Sequence, residues 1–247
     1  MTAPADVTLF IPCLVDTFAP DVGKAMVQIF QQRGVSLTYP LDQTCCGQPA
    51  YNAGYRNEAR VAAARFIDIF ESADVIVCPS GSCVHMVRHH YLELFTDDPI
   101  QQKRARVIAD KTFEFTEYLV DILKITDIGA RYNGRVTYHD SCHLRYGLNV
   151  SGQPRQLIEN VAGCQLVEME ESDRCCGFGG SFSVKYPEIS TAMLEDKVNR
   201  IVASGADAVV GCDMGCLLNI SGMINRRRLP VKVLHIAQLL SGQGKSL

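Results

Sequence analysis

Cysteine is the residue type in this sequence whose number and spacing point most clearly to chemistry. The 247-residue chain has eleven cysteines, including the adjacent pairs Cys45-Cys46 and Cys175-Cys176. An odd number fits complete disulfide pairing badly, and reduced thiols can ligate a metal or carry out redox chemistry. The clustering favours ligation over scattered buried cysteines that act only as small apolar side chains.

Most of the cysteines belong to a pattern that occurs twice. The two copies correspond at nearly constant offsets in sequence: Cys13 with Cys142, Cys45-Cys46-Gly47 with Cys175-Cys176-Gly177, and Cys83 with Cys216. Nearly constant offsets indicate a duplicated unit. We therefore predict two cysteine-rich domains, the first over residues 1–130 with a helical connection at its end, and the second over residues 131–247.

The segments around these cysteines predict the elements that must position them. In the first half we expect strands at 7–11, 35–39 and 74–78, with helices at 20–32, 54–71 and from about 83. In the second half we expect strands at 134–139, 165–168, 207–210 and 231–234, with helices at 153–161 and 188–203. Alternating strands and helices predict an α/β fold of two pseudo-repeated halves, each a mostly parallel sheet flanked by helices. Residues 97–124 are expected to be a helix-compatible connection.

In this layout the repeated cysteines fall at or beyond the carboxyl ends of strands, so thiols far apart in sequence converge. Four or more thiolates select iron–sulfur or zinc over harder metals. Zinc sites usually use two CxxC clips, whereas these ligands are dispersed over about seventy residues, which favours iron–sulfur. The spacing leaves zinc open for one half. Glycines in the run GFGGSF (177–182) would let backbone N–H groups approach an anionic cluster.

The register of the two copies separates primary ligands from conditional ones. The primary sets are Cys13, Cys45, Cys46 and Cys83 in the first half, and Cys142, Cys175, Cys176 and Cys216 in the second. When Asp74 is aligned with Asp207, Cys78 falls opposite Gly211 and not opposite Cys212. We therefore predict Cys78 and Cys212 as conditional fifth ligands. Cys164 lacks a counterpart and is predicted to be a buried non-ligand.

Histidine and arginine side chains also lie close to these cysteines. His139 and His143 flank Cys142, so either imidazole ligates or transfers a proton, or it is simply hydrogen-bonded at the end of a strand. Arg145 and Arg174 would offset cluster charge or bind a carboxylate. Catalytic residues cannot be assigned from the sequence.

Four motifs carry a resemblance to a known family: CCGQPAYNAGY (45–55), PSGSC (79–83), DRCCGFGGSFSVKYPEIS (173–190) and CLLNISG (216–222). They resemble two copies of the cysteine-rich CCG domain, which also occurs in heterodisulfide reductase, and are most similar to the lactate-utilisation protein A family. The likeness covers nearly the whole chain. One departure is that the last cysteine pair is C-x4-C in the first half and C-x3-C in the second, instead of C-x2-C.

The resemblance implies an iron–sulfur electron-transfer subunit of a multi-protein system that oxidises L-lactate to pyruvate. It implies clusters of the 4Fe–4S type, one per half, with partners that include the other subunits of the lactate-oxidising complex and an electron-acceptor carrier. The likeness to heterodisulfide reductase implies an alternative, a cluster-based thiol-disulfide reductase with five cysteines per cluster. A third interpretation is a zinc-stabilised, non-redox binding protein.

Composition narrows the remaining classes of function. The formal charge of −3, without a long basic run, predicts no nucleic-acid partner. The N-terminal segment lacks a positively charged start and its apolar run is interrupted, so it is expected to be a strand and not a signal peptide. Apolar runs of about 18 residues are absent, which predicts no direct membrane insertion. We therefore expect a cytoplasmic protein.

Overall fold

Two α/β units make up the chain, and each is built on its own four-stranded sheet. The computed structural model describes residues 6–242, and the chain divides into the units Met1–Tyr118 and Leu119–Leu247. Every strand pairing in both sheets is parallel. The predicted fold class, two repeated halves with parallel sheets flanked by helices, is confirmed.

The first unit contains four strands and eight helices among its described residues. In chain order they are β1 (Val7–Leu9), α1 (Cys13–Phe18), α2 (Pro20–Gln32), β2 (Leu37–Thr38), α3 (Gln48–Asn52), α4 (Arg56–Phe70), β3 (Val75–Cys78), α5 (Gly81–His85), α6 (Tyr91–Leu94), α7 (Pro99–Asp110), β4 (Thr112–Glu114) and α8 (Phe115–Glu117). A π-helical turn over Met86–His90 joins α5 to α6.

The second unit repeats this plan. After a π-helical turn at Tyr118–Ile122 that spans the division between the units, its elements are β5 (Arg131–His139), a π-helical turn (His143–Gly147), α9 (Gly152–Glu159), β6 (Ala162–Leu166), α10 (Ser181–Lys185), α11 (Pro187–Ala203), β7 (Ala208–Gly211), α12 (Met214–Arg226), β8 (Lys232–His235) and α13 (Ile236–Leu240). Residues 123–130, before β5, form neither helix nor strand. The domain boundary predicted after residue 130 remains a prediction.

Strand order places a topological switch point in the middle of each sheet. The orders are β2-β1-β3-β4 and β6-β5-β7-β8. The chain runs from β1 outward to β2 and then crosses back to β3 on the other side of β1. Open parallel sheets bind their ligands at such a point, in the crevice beyond the carboxyl ends of the two central strands. In this protein these are β1 with β3, and β5 with β7.

Amphipathic helices cover the first sheet and close its core. Helix α2 begins with Pro20, which suits the first helical position, and buries an apolar stripe at helical spacing that includes Val22, Met26 and Phe30. On α4, Phe66 packs edge-to-face on Phe10, with ring centroids 4.8 Å apart. These contacts hold the residues just after β1 against α4, which fixes where the following segment starts.

Two parts of the secondary structure differ from the prediction. Residues 97–124 contain the helix α7, which agrees with their helix-compatible pattern, but they also contain the edge strand β4, which pairs with β3 and was not predicted. The strand expected at 165–168 lies earlier, at Ala162–Leu166. Strand β4 is only three residues long and contains the fully buried Glu114, so it lacks the apolar run by which a strand is recognised in sequence.

Among the described residues, every helix falls short of the length and apolarity needed to span a bilayer, which takes roughly 20 apolar residues.

Candidate metal centres

The first thiol cluster lies at the switch point between β1 and β3. Cys13 is the first residue of α1, which follows β1 after a short segment, and its sulfur is 3.8 Å from the sulfur of Cys45. The buried Cys46 thiol is hydrogen-bonded to those of Cys45 and Cys83, and the Cys83 thiol is also hydrogen-bonded to Cys78 at the end of β3. The structure therefore joins all five predicted cysteines of the first unit into one connected set.

The loop that carries Cys45 and Cys46 is attached to the end of β1 by an amide side chain. The Gln43 carboxamide accepts a hydrogen bond from the Ile11 N–H (2.7 Å) and donates to the carbonyls of Leu9 (3.3 Å) and Pro40 (2.9 Å). This places the cysteine pair beside Cys13. The amide thus links the loop directly to the segment that follows β1.

Gly47 is required immediately after the first cysteine pair. Its φ of +84° lies in the left-handed region, and an added Cβ would be 3.1 Å from the Ala62 Cβ of α4. Its N–H donates to Cys45 Sγ at 3.4 Å. On the other side of the pair, the buried Tyr91 hydroxyl donates to the Cys46 carbonyl at 2.9 Å. The third residue of the CCG triplet is therefore a structural part of the site.

The second thiol cluster lies at the equivalent point between β5 and β7. Cys142 follows β5, and its thiol is hydrogen-bonded to that of Cys175, which in turn contacts Cys176. Cys176 also contacts Cys216, in the first turn of α12. Gly177 matches Gly47, because its φ is +79° and an added Cβ would lie 2.5 Å from the Ser190 carbonyl oxygen. The four primary cysteines predicted for this half form a second connected set.

An ion pair replaces the amide link in the second unit. The Asp140 carboxylate, 1% exposed, binds both terminal nitrogens of Arg155 at 2.9 and 2.7 Å and accepts from the Ser172 hydroxyl at 2.7 Å. Asp140 also donates its backbone N–H to the Ser172 carbonyl, and Arg145 adds a contact of 3.2 Å. Arg155 also pairs with Glu168. The end of β5 is thereby attached to the loop that leads into Cys175.

Cys78 and Cys212 occupy different surroundings. Cys78 reaches Cys83, whereas the Cys212 sulfur lies 3.3 Å from the Tyr138 hydroxyl. Cys164 lies within β6, half-buried and away from the carboxyl edge, and burial raises the pKa of its thiol to about 11. Whether Cys78 and Cys212 ligate, and Cys164 does not, stays a prediction.

The thiols of the first cluster differ in acidity. Hydrogen bonds from Cys13, Cys46 and the Gly47 N–H lower the pKa of Cys45 to about 3. The same interaction with Cys45 raises the pKa of Cys13, and hydrogen bonding and burial raise that of Cys46. Cys45 is therefore the thiolate of the set, and thiolate is the form that binds soft metals.

The thiols of the second cluster differ in acidity in the same way. Cys142, Cys176 and the Gly177 N–H lower the pKa of Cys175 to about 2, which makes it the thiolate of this set. His139, at the end of β5, has its pKa lowered to about 4 by burial and then by the nearby Lys197. Its imidazole is therefore neutral at pH 7 and keeps a lone pair that can bind a metal.

Lys197 is a site residue that sequence analysis missed. Its side chain is fully buried on α11 and its ammonium donates to the Glu171 and Ser172 carbonyls, each at 3.1 Å. Burial lowers its pKa to about 8. The available signal was its place in the apolar stripe of α11, between Leu194 and Val198. Arg145 and Arg174, considered from sequence, are instead paired with carboxylates.

The donor sets fit a thiophilic metal or cluster. In each unit at least four thiols are linked by hydrogen bonds, and a glycine backbone nitrogen lies 3.4 Å from the most acidic sulfur. In the second unit the ligand atoms of His139, Cys176 and Cys216 all lie within 4.8 Å of one another. Soft sulfur and imidazole nitrogen suit iron–sulfur clusters and zinc, and do not suit magnesium or calcium.

Parallel sheets that each hold a thiol cluster at the switch point define a protein with two cysteine-rich domains. The family described as "CCG: Cysteine-rich domain" matches residues 7–88 and 136–221. Curated relatives named lactate utilization protein A are similar over 96% of this chain. One from Exiguobacterium sp. is 47% identical and covered over 97% of its own length, and one from Bacillus cereus is 48% identical and covered over 99%.

The chain therefore belongs to the lactate utilization protein A family, with one CCG domain in each half. A solved structure of a hypothetical protein from Helicobacter pylori has a TM-score of 0.66 and 9% identity over 99% of this chain. At that identity the likeness concerns the fold alone. This chain spans about half the length of the Helicobacter pylori protein, with 50% of it covered.

Replacing Arg155 with methionine tests how the second centre is held in place. The change leaves the buried Asp140 carboxylate with only Arg145 as a cationic partner, so we expect a loss of about 3 kcal/mol in the free energy of unfolding of the second unit. The measurement is urea denaturation followed by circular dichroism.

The matched control is Arg174→Met, because Arg174 is half-exposed and pairs with carboxylates at the surface. It should change stability by no more than about 0.5 kcal/mol. Equal denaturation midpoints for the two variants would contradict the role given to Arg155.

Proposed function

We propose that this chain is the iron–sulfur electron-transfer subunit of a multi-protein system that oxidises L-lactate to pyruvate. The observation that carries the proposal is the convergence of two separate thiol sets, one at the switch point of each parallel sheet. The lactate assignment is supported by relatives of that name, similar over 96% of the chain. Each unit would hold one cluster, of the 4Fe–4S type.

The residues that would hold the clusters follow from the contacts. In the first unit they are Cys13, Cys45, Cys46 and Cys83, with Cys78 as a further donor. In the second unit they are Cys142, Cys175, Cys176 and Cys216, with Cys212 as a conditional donor. When bound, such a cluster accepts and releases single electrons at a potential set by charge, hydrogen bonding and exposure.

Burial gives the thiol set of the first unit a closed side and an open side. Cys13 is exposed and Cys45 is partly exposed, whereas Cys46 and Cys83 are buried. Phe18 and Leu41, on the segments next to Cys13 and Cys45, are 61% and 89% exposed. Exposed apolar side chains are what a protein partner covers on docking. The open side therefore supports electron exchange with another subunit or with an acceptor carrier.

Charges in the second unit support an anionic group at the thiols. Lys197 places a buried ammonium near Cys176, and Cys216 lies in the first turn of α12, where the helix dipole favours negative charge. A set of thiolates without a bound cation would repel one another. These positive contributions lower the cost of assembling them at one point.

Zinc is a second candidate for the second unit, because one specific observation favours it. The His139, Cys176 and Cys216 donors lie within 4.8 Å of one another, and a further thiol from Cys175 adjoins Cys176. Three thiolates and one imidazole are an ordinary structural zinc set. In that case the second unit would be a zinc-stabilised, non-redox binding module.

Single cysteine replacements test the ligand assignment. Loss of one thiolate leaves the metal undercoordinated, so Cys46→Ala and Cys176→Ala should each reduce iron per chain by about half. Cys164→Ala is the matched control and should leave iron content and visible spectrum unchanged. The measurement is iron, zinc and acid-labile sulfide per chain after anaerobic purification.

Each outcome of this series assigns a ligand set. A full iron complement in Cys46→Ala would contradict the set given for the first unit. Zinc that disappears only in Cys176→Ala would assign zinc to the second unit.

Lactate-dependent reduction of an electron acceptor tests the proposed role in L-lactate oxidation. A cell extract that lacks this chain should not reduce an electron acceptor with L-lactate, and addition of the purified chain should restore reduction. The Cys164→Ala chain should restore it equally well, because its thiol lies outside both clusters, whereas Cys46→Ala should not.

Failure of the intact chain to restore lactate-dependent reduction, or to copurify with proteins of the same system, would contradict the lactate assignment. Reduction of a small disulfide by the reduced, isolated chain would instead assign the cluster-based thiol-disulfide reductase.

A further inference from the structure

We propose that His139 is a ligand of the metal centre in the second unit, where it replaces the donor that Cys78 supplies in the first unit. The inference rests on the proposed function and deepens it, because it makes the two centres chemically different. The first would have an all-thiol donor set, and the second would combine thiols with one imidazole.

His139 is a buried polar side chain whose hydrogen-bonding capacity is unused. It is 1% exposed, and neither Nδ1 nor Nε2 has a hydrogen-bond partner among the described residues. Leaving a buried polar atom unsatisfied costs about 1–3 kcal/mol, so such atoms in folded proteins need an explanation. One ring nitrogen lies within 4.8 Å of the sulfurs of both Cys176 and Cys216. A metal bound between these atoms would satisfy that nitrogen.

Strand register shows which residue of the first unit His139 corresponds to. Leu9 pairs with Val77 in the first sheet, so the next pair along is Phe10 beside Cys78. His139 pairs with Gly211 in the second sheet. Phe10 lies three positions before Cys13, as His139 lies three positions before Cys142, so the two residues occupy the same place in the repeat.

The proposed donor therefore lies on a different central strand in each unit. In the first unit β3 supplies Cys78, while the segment after β1 supplies an apolar ring. In the second unit β7 supplies Gly211, without a side chain, and β5 supplies the imidazole. A Cβ at Gly211 would lie 3.1 Å from Leu217, so that position is closed to a thiol unless Leu217 moves. The neighbouring strand is the remaining source of a donor at this place.

Cys212 does not fill this place. Successive side chains of a strand point to opposite faces of the sheet, so a residue after Gly211 shares the face of Tyr138 and not that of His139. The contact of 3.3 Å between Cys212 Sγ and the Tyr138 hydroxyl agrees with this placement. The side chains of Cys212 and His139 therefore lie on opposite faces of the second sheet.

Helix residues explain why the imidazole is accommodated in the second unit alone. Phe10 is enclosed by Phe66 and Phe70 of α4, with ring centroids 4.8 and 5.7 Å away. The glycines after the cysteine pairs show how α4 and α11 correspond, because an added Cβ would meet Ala59 and Ala62 at Gly47 and would meet Ser190 and Met193 at Gly177. At that offset Phe66 and Phe70 correspond to Lys197 and Ile201, which are buried as well. Neither residue is aromatic, so the ring at position 139 lies near the thiols without an aromatic cluster around it.

Nitrogen-labelled protein tests the ligation. With ¹⁵N in its histidines, the anaerobically purified and reduced full chain should show a strongly coupled nitrogen in pulsed electron paramagnetic resonance. In His139→Cys this coupling should be lost while iron per chain is retained, because a thiolate replaces the imidazole. One midpoint potential should shift to a more negative value, because histidine in place of cysteine raises the potential of a cluster.

His143→Gln is the matched control, because His143 also lies near the site, with Nδ1 3.7 Å from Cys142 Sγ. It should keep the strong nitrogen coupling. Absence of a coupled nitrogen in the iron-loaded wild-type chain, or its loss in His143→Gln but not in His139→Cys, would overturn the inference and leave the proposed function standing. This wild-type measurement decides the question even if the cysteine variant does not fold. A wild-type chain that binds no iron would overturn the proposed function and the inference with it.

Discussion

The parallel pairing of the two central strands in each sheet is the constraint on which both candidate centres depend. In the first sheet Thr8 pairs with Ile76 and Leu9 with Val77, so both strands end at the same level. Cys13 and Cys83 lie just beyond those ends, although they are far apart in sequence. A shift of the register by one residue would turn the residue beside Cys78 to the opposite face and move the two thiols apart.

Attachment of the cysteine-pair loop uses different chemistry in the two units. The neutral Gln43 amide ties the loop to β1, whereas the buried Asp140–Arg155 ion pair ties the loop to β5. Burying an ion pair has a large desolvation cost, which the Ser172 and Arg145 contacts help to offset. The duplicated units therefore share their glycines and cysteines but differ in how those residues are supported. The two units also differ at the carboxyl ends of their central strands, where the first has Cys78 and the second has His139 paired with Gly211.

Much of the fold and most of the thiol geometry could be predicted from the sequence. A nearly constant offset between cysteines requires equivalent surroundings, and β-branched strands before the cysteines place them at one sheet edge. Strand β4 could not be predicted, because it is held by its pairing with β3 and not by local preference. Its Glu114 is fully buried and has its pKa raised to about 7 by burial. A carboxyl group in that position contradicts the apolar pattern expected of a buried strand.

The roles of Lys197 and Gly211 could not be predicted from the sequence for another reason. Each depends on contacts between segments that are distant in sequence, such as the carbonyls of Glu171 and Ser172 that accept from Lys197. His139 was a candidate from its place beside Cys142, but only the strand pairing shows that it lies opposite Gly211. Sequence spacing indicates that thiols gather, whereas strand register decides which other groups join them.

Whether both thiol sets hold iron–sulfur clusters can be tested by measuring iron and acid-labile sulfide in the anaerobically purified wild-type chain. Two clusters of the 4Fe–4S type would give about eight iron and about eight sulfide per chain, with a broad visible absorption that bleaches on reduction. Colourless protein with stoichiometric zinc and without acid-labile sulfide would contradict the account.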